Sequence, residues 1–469
     1  MIALKRAAAV SWRPLIVALV PLAVLLAPAF GGLDEVQHRL LAIFVFAVLA
    51  WVLEPIPIFA TSIVVIFAQL LLISDRVPPP LALPDDATVL AYEDIIAGFA
   101  DPIIILFLGG FFLAAAATKY RLDLNLARVI LAPFGTRTPL VVLALMLITA
   151  LFSMFMSNTA TAAMMLAVAA PVIAAMPAGD PARRAVVLAI PIGANIGGIG
   201  TPIGTPPNAV AFTYVGPGNS LGIDPIGFGQ WMLVAVPFVI VMLAVAWAVL
   251  GLLYRSETTE VRLSIASTWA RSPRAIVVYA TFALTVLLWV TGGWHGVPAT
   301  VVAMLPIAAF LVTGVMTAPD LRSLNWEVLW LVAGGIALGN AMFATGLSSW
   351  MVDQVPFEDM SGWAIVAAVG LIGLVMSTFI SNTATAALLL PIVAALGASA
   401  PALGDPLPAL LMTTVACSLA MALPVSTPPN SIAYAMGVAE TRDMVHVGVP
   451  VGLLGLLAAG ALLTVFALA

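Results

Sequence analysis

The sequence predicts an all-α polytopic membrane protein with about eleven transmembrane helices, two re-entrant helical hairpins and an internal inverted repeat. Three observations carry this prediction. The 469 residues are 63% hydrophobic and only 8% charged, about a third of the charge of a typical soluble domain. Apolar stretches recur at the length of a bilayer crossing, about 20 residues each. Two polar motifs inside those stretches occur twice, in the same order. With a mean hydropathy of +1.16 the chain lacks the polar surface that water demands. A soluble enzyme, a nucleic-acid binder and a disordered regulator are excluded.

Single crossings fall near residues 14–30, 38–54, 57–74, 97–117, 186–212, 230–254, 274–292, 297–315, 326–348, 408–436 and 444–468. The first follows Lys5-Arg6 like a secretory leader but lacks a small-residue cleavage site, so it is read as a spanning helix. Two further stretches, 138–176 and 363–396, are too long for one crossing and carry a polar cluster in the middle. All these runs are too long and uniformly apolar for the strands of an outer-membrane barrel. With the N-terminus in the cytoplasm and both long stretches turning back on their own side, fifteen Lys and Arg lie inside: Lys5, Arg6, Arg13, Lys119, Arg121, Arg128, Arg137, Arg183, Arg184, Arg255, Arg262, Arg271, Arg274, Arg322 and Arg442. Only Arg39 and Arg76 lie outside. This bias is the signature of topology, and counting either long stretch as a crossing destroys it. The chain is therefore expected in the inner (plasma) membrane, multi-pass, with its C-terminus outside. Tyr120–Ile130 reads as a cytoplasmic surface helix.

The long stretches resemble each other. Ser153 to Leu166 matches Ser377 to Leu390 at ten of fourteen positions, centred on Ser157-Asn158-Thr159 and Ser381-Asn382-Thr383. Gly204-Thr205-Pro206-Pro207-Asn208 pairs with Ser426-Thr427-Pro428-Pro429-Asn430 further on, and Gly109-Gly110 with Gly334-Gly335 upstream. The chain thus divides into 1–96, a first repeat 97–255, a linking segment 256–325 and a second repeat 326–469. Five crossings separate the two hairpins. That number is odd, so the hairpins enter from opposite faces, as in transporters built on inverted repeats.

No charged side chain lies between Thr138 and Gly179 or between Ser361 and Gly404. Each stretch nevertheless puts Ser-Asn-Thr in mid-membrane, where unsatisfied polar groups cost several kcal/mol. These residues cap helix N-termini, so the helices beginning at Asn158 and Asn382 aim free N–H groups and positive dipole ends at the tips. Opposed helix ends of this kind bind an anion without Arg or Lys. The same loops suit a cation. Ser153 and Ser157, spaced i, i+4, offer two hydroxyls on one face of the incoming half-helix, with an Asn oxygen and loose carbonyls beside them. Ser377, Ser381 and Asn382 repeat the set. Pro206-Pro207 and Pro428-Pro429 remove backbone hydrogen bonds and free carbonyls near Gly204 and Ser426. Hard oxygens of this kind fit Na⁺. The expected arrangement is one anion site flanked by two cation sites. Cys417 is single, so no disulfide forms within the chain. His38, His295 and His446 form no ligand pair.

The chain resembles the divalent anion/sodium symporter family over nearly its whole length, on the doubled Ser-Asn-Thr tips and the Thr-Pro of the broken helices. The resemblance implies a homodimer in the lipid bilayer, each protomer having scaffold helices and a transport domain that moves as an elevator. It implies substrate contacts from Asn158, Thr159, Thr205, Asn382, Thr383, Thr427 and Pro428. It assigns sodium to Ser153, Ser157, Asn158 and Gly204 at one site and to Ser377, Asn382 and Ser426 at the other, where a backbone carbonyl is what matters at Ser426. The implied activity is symport of a small divalent anion, a C4-dicarboxylate such as succinate, fumarate or malate, with two or more Na⁺. Sodium-independent exchange is the runner-up, and sulfate or citrate the alternative cargo. An intramembrane hydrolase needs a base beside a serine, and no His, Asp or Glu accompanies either motif. Dead-end hairpins fit alternating access rather than an open channel.

Overall fold

A computed structural model describes residues 12–84, 87–217, 219, 221, 223–258, 260, 261, 265, 267–354, 360–399 and 403–468. Lys5, Arg6 and Arg262, counted above as cytoplasmic charges, lie outside the described residues. The first third of the chain forms α1 (Trp12–Leu26), α2 (Glu35–Leu53), α3 (Ile58–Leu72), α4 (Tyr92–Ala97), α5 (Pro102–Lys119) and α6 (Leu122–Leu131). A hairpin follows, α7 (Thr138–Ser153) and α8 (Asn158–Ala175), then an interrupted helix, α9 (Ala182–Gly198) and α10 (Pro206–Val215). Next come α11 (Phe228–Leu253), α12 (Pro273–Val290) and the short α13 (Gly292–His295), α14 (Ala299–Val302), α15 (Met304–Val312) and α16 (Ala318–Arg322). The second half has α17 (Trp326–Ala344), α18 (Leu347–Asp353), a second hairpin α19 (Gly362–Phe379) and α20 (Asn382–Ser399), a second interrupted helix α21 (Leu407–Leu419) and α22 (Pro428–Ala435), and α23 (Thr441–Leu468).

Helix occupies every apolar stretch read from the sequence. Among the described residues, eight helical segments are long and apolar enough to cross a membrane, and shorter apolar helices accompany them. Large apolar side chains such as Leu233, Leu252, Leu457 and Val312 stand exposed on the outer surface. A soluble monomer rarely shows so much apolar surface; lipid covers it here. Helix starts follow local chemistry. Asp101 and Ser272 cap α5 and α12 with a side-chain bond to the second or third residue, and each cap is followed by Pro at the first helical position. There the missing N–H costs nothing.

The two halves share a packing plan. Each hairpin's first arm lies against the following interrupted helix, α7 on α9 and α19 on α21. The short second pieces are exchanged: α10 packs on α20 and α21 of the other half, and α22 on α8 and α9. The Arg39–Glu35 pair lies beside Gln37 at one end of the bundle, while a set of polar and charged contacts ties the other. Lys119 reaches Asp320 at 2.7 Å, Tyr254 donates to Asp443 at 2.9 Å, and Asp180 accepts Thr258 N–H at 2.9 Å. The base of the first hairpin is tied there, through Thr138 Oγ1 donating to the Thr258 carbonyl. α17 leaves this end just after Asp320. Its far end, Thr345, accepts Gln37 Nε2 at 2.8 Å, and Val352 of the adjoining α18 packs on Ile365, Ala395 and Leu396 at the base of the second hairpin. The two hairpins are thus rooted at opposite ends of the bundle.

Candidate functional site

α7 ends at Ser153, and α8 begins at Asn158 with Ser157 as its cap. Ser157 is therefore outside the incoming helix, and the i, i+4 spacing with Ser153 does not put the two hydroxyls on one helix face. Its Oγ accepts Ala160 N–H at 3.1 Å and its carbonyl accepts Thr161 N–H at 3.0 Å. The Asn158 and Thr159 N–H groups remain the open donors of that first turn. Ser153, fully buried, places its Oγ 2.5 Å from Asn158 Oδ1 and 2.8 Å from the Ala194 carbonyl. Thr201 Oγ1 donates to the Met154 carbonyl, so the hairpin tip is bound to the helix break on both sides.

Two glycines make this closeness possible. A Cβ on Gly198 would stand 2.7 Å from Asn158 Oδ1 and 3.1 Å from the Gly204 carbonyl oxygen, and one on Gly204 would stand 3.0 Å from the Ser153 carbonyl oxygen. The Asn158 amide oxygen and the Gly204 carbonyl therefore border one space without side-chain bulk at Gly198, and the Ser153 carbonyl borders another at Gly204. These are the oxygen donors a hard cation takes. Pro206 and Pro207 open α10 rather than break a helix. The break, residues 199–205, is held by buried Asn208, whose Nδ2 lies within hydrogen-bond reach of the carbonyls of Gly198 (3.1 Å), Ile199 (3.1 Å) and Thr201 (2.8 Å).

The second half repeats the wiring. Ser377 Oγ lies 2.8 Å from Asn382 Oδ1 and 2.9 Å from the Cys417 carbonyl. Ser381 accepts Ala384 N–H at 3.2 Å through Oγ and Thr385 N–H at 3.0 Å through its carbonyl. Asn430 Nδ2 donates to the carbonyls of Met421 and Leu423 at 2.8 and 3.0 Å. Ser426 differs from Gly204: its hydroxyl donates to the Thr378 carbonyl at 2.7 Å, the tie that Thr201 makes in the first half. Asn382, Thr205 and Thr427 are buried, Asn158, Ser157, Ser381 and Thr383 are half-buried, and Thr159 and Pro428 are exposed. Gly198, Thr201, Asn195, Asn208 and Asn430 carry the geometry without having been assigned a role from sequence. For Asn208 and Asn430 the signal was present, because both end the duplicated Pro-Pro-Asn.

The model of the sodium:sulfate symporter transmembrane region matches residues 8–466 of this chain. The chain belongs to that family. Among curated relatives it is similar to the sodium-dependent dicarboxylate transporter SdcS of Staphylococcus saprophyticus, with 30% identity over 452 residues covering 89% of this chain and 83% of the relative. It is also similar to an uncharacterized transporter of Haemophilus influenzae, 31% identical over 431 residues, 87% of each chain. In fold it resembles the YdaH transporter of Alcanivorax borkumensis, with a TM-score of 0.51 at 15% identity over 92% of this chain and 98% of the other. The family is one of membrane transporters, and the chain is a polytopic member of it.

Proposed function

We propose that this chain is a sodium-coupled symporter of a divalent anion, a C4-dicarboxylate such as succinate, fumarate or malate. The observation that carries the proposal is the doubled serine–asparagine couple. In each half the hydroxyl of a buried serine stands within hydrogen-bond distance of both the tip asparagine and a carbonyl of the interrupted helix. A cation bound by the Asn oxygen and the break carbonyls, with Ser153, Ser157 and Gly204 or Ser377, Ser381 and Ser426 around it, fixes the same Asn that faces the anion. Asn158, Thr159, Asn382 and Thr383 offer amide and first-turn N–H donors to the carboxylates, with Thr205, Thr427 and Pro428 opposite. The name of the Staphylococcus relative, a sodium-dependent dicarboxylate transporter, supports the choice of cargo.

Charge sets the coupling. Two helix N-termini contribute about half a unit charge each, which leaves about half of a dianion uncompensated where no basic side chain stands. Two or more Na⁺ supply the rest. Hairpins rooted at opposite ends of the bundle support re-entrant entry from opposite faces, with the Lys119–Asp443 end in the cytoplasm and the C-terminus outside. An elevator movement of the hairpins and interrupted helices against a dimeric scaffold is part of the proposal. Uptake into proteoliposomes across a panel of labelled dianions, with and without an inward sodium gradient, tests the whole. Sodium-driven, electrogenic C4-dicarboxylate uptake is expected. Full-rate uptake in choline, driven only by an opposing anion gradient, makes the chain an exchanger, and a panel won by sulfate or citrate changes the cargo.

A further inference from the structure

Asn195 lies on α9, 1% exposed, and reaches across to the other half. Its Nδ2 stands 3.2 Å from Thr427 Oγ1 and 3.3 Å from Asn430 Oδ1, and an amide NH₂ has a proton for each. Which way this amide points is fixed by the chain rather than by choice. Asn430 Nδ2 is committed to the Met421 and Leu423 carbonyls, so Asn430 must present its oxygen to Asn195. Asn195 must then present its nitrogen. Thr427 Oγ1 also accepts Asn430 N–H at 3.3 Å. A hydroxyl has two lone pairs and one proton. Both lone pairs of Thr427 face N–H donors, so its proton points away from them, as a donor.

The first half lacks this device. By the alignment that pairs Asn208 with Asn430, Thr205 with Thr427 and the break carbonyls with one another, the residue matching Asn195 is Cys417. It is a buried free cysteine with no amide to offer Thr205 and Asn208. Asn208 Oδ1 is left buried without a partner, and Thr205 makes no side-chain cap bond. One of the two equivalent threonines is wired as a donor, and the other is not.

We propose that Asn195 is a positioning residue of the anion site, which locks the Thr427 hydroxyl as a hydrogen-bond donor to an ionised carboxylate at the α22 end. This rests on the dicarboxylate reading above. An ionised carboxylate satisfies that hydroxyl through either oxygen, whereas a protonated acid or an amide does so through its carbonyl oxygen alone. The Thr205 end has no such constraint, so the two ends of the substrate are read differently.

The test is a cycle of Asn195→Ala and Thr427→Val, with Asn195→Asp as an isosteric second variant. Dicarboxylate uptake gives KM and kcat, and the thermal shift produced by sodium alone is measured beside it. Asn195→Ala is expected to raise KM by about tenfold, the scale of one hydrogen bond to a charged group, and to add nothing in the Thr427→Val background. Asn195→Asp accepts the Thr427 proton instead and is expected to raise KM at least as far. The sodium-only shift should stay at the wild-type value in both. A KM within twofold of wild type, additive effects in the double variant, or joint loss of the sodium-only shift would overturn the positioning role. Absence of any dicarboxylate uptake by the unmodified chain defeats the dicarboxylate reading and the proposal with it. Normal wild-type uptake with an unmoved Asn195→Ala KM defeats the positioning role alone.

Discussion

Gly198→Ala separates function from folding at the first hairpin tip. The new Cβ would stand 2.7 Å from Asn158 Oδ1 and 3.1 Å from Asn158 Nδ2, where ordinary contact begins near 3.4 Å. The Asn158 amide must therefore withdraw by about 0.7 Å, which the end of a side chain is able to do, while the Gly204 carbonyl at 3.1 Å has to give only by a few tenths of an ångström. The stability terms nearly cancel. Alanine for glycine at the end of α9 contributes roughly 0.5–1 kcal/mol, and a weakened Ser153–Asn158 hydrogen bond costs about the same. Function is not so buffered, because displacement on the scale of 1 Å at a binding geometry costs up to about a hundredfold. The expected outcome is an apparent melting temperature within a few degrees of wild type, with half-saturation for sodium raised at least tenfold. Sodium titrations by thermal shift and by proteoliposome uptake read the two quantities. A stable variant whose sodium half-saturation lies within twofold of wild type would refute the assignment of Asn158 to a cation site. Gly204→Ala serves as the contrast, since its Cβ meets the Gly198 carbonyl itself. It should lose stability and function together.

Asn158→Ala and Asn382→Ala should each lower uptake by about a hundredfold or more while the protein elutes and melts as a folded species; near-normal transport by either removes the tips from the site. Single cysteines at Ser157 and Ser381, in a Cys417→Ser background, should be labelled by an impermeant thiol reagent from opposite faces of the membrane, at a stability cost of about 1 kcal/mol per lost cap. Labelling of both from one face only contradicts opposed entry. At the Lys119–Asp443 end, burial raises the Asp180 pKa, but hydrogen bonds from the Thr258 hydroxyl and from the N–H groups of Ala182, Thr258 and Glu257 outweigh it and hold the carboxyl below its ordinary value. The stability this contributes is present above the unfolded carboxylate pKa near 4 and is lost as pH falls through the lower folded value. Asp180→Asn should thus lower stability by about 1–3 kcal/mol at neutral pH, with the gap to wild type closing as pH falls below about 4. A gap that widens in acid would contradict this.

The sequence made the helices, their order and the duplication readable because each is written in composition and spacing. A run of apolar residues admits few alternatives in lipid, and two matching fourteen-residue segments have one simple origin. Local detail was less readable where two motifs have the same residues and different geometry. Ser153 and Ser157 look like one helix face, yet the tip turn begins between them, and only the hydrogen bond from Ala160 N–H marks Ser157 as a cap. Pro206-Pro207 looks like a helix breaker, yet it starts a helix. The carbonyls it was expected to free are gathered by Asn208 from the preceding loop. Gly198 and Asn195 act through contacts with residues distant in the chain, which no local pattern encodes.

The duplication also hides an inequality that matters for coupling. The position matching Gly198 is Ala420, fully buried, so the second half carries a methyl group where the first has a bare Cα. The tie from break to tip comes from Thr201 in one half and from Ser426 in the other. Asn195 braces only Thr427. Two identical cation sites would fill in either order and would hold a dianion without preference for its ends. If each half holds a cation, as proposed, two sites of one plan but unequal shape have different affinities, and one fills and organises its asparagine first. On that proposal the departures from symmetry, more than the symmetry itself, would give an inverted repeat a directed binding sequence.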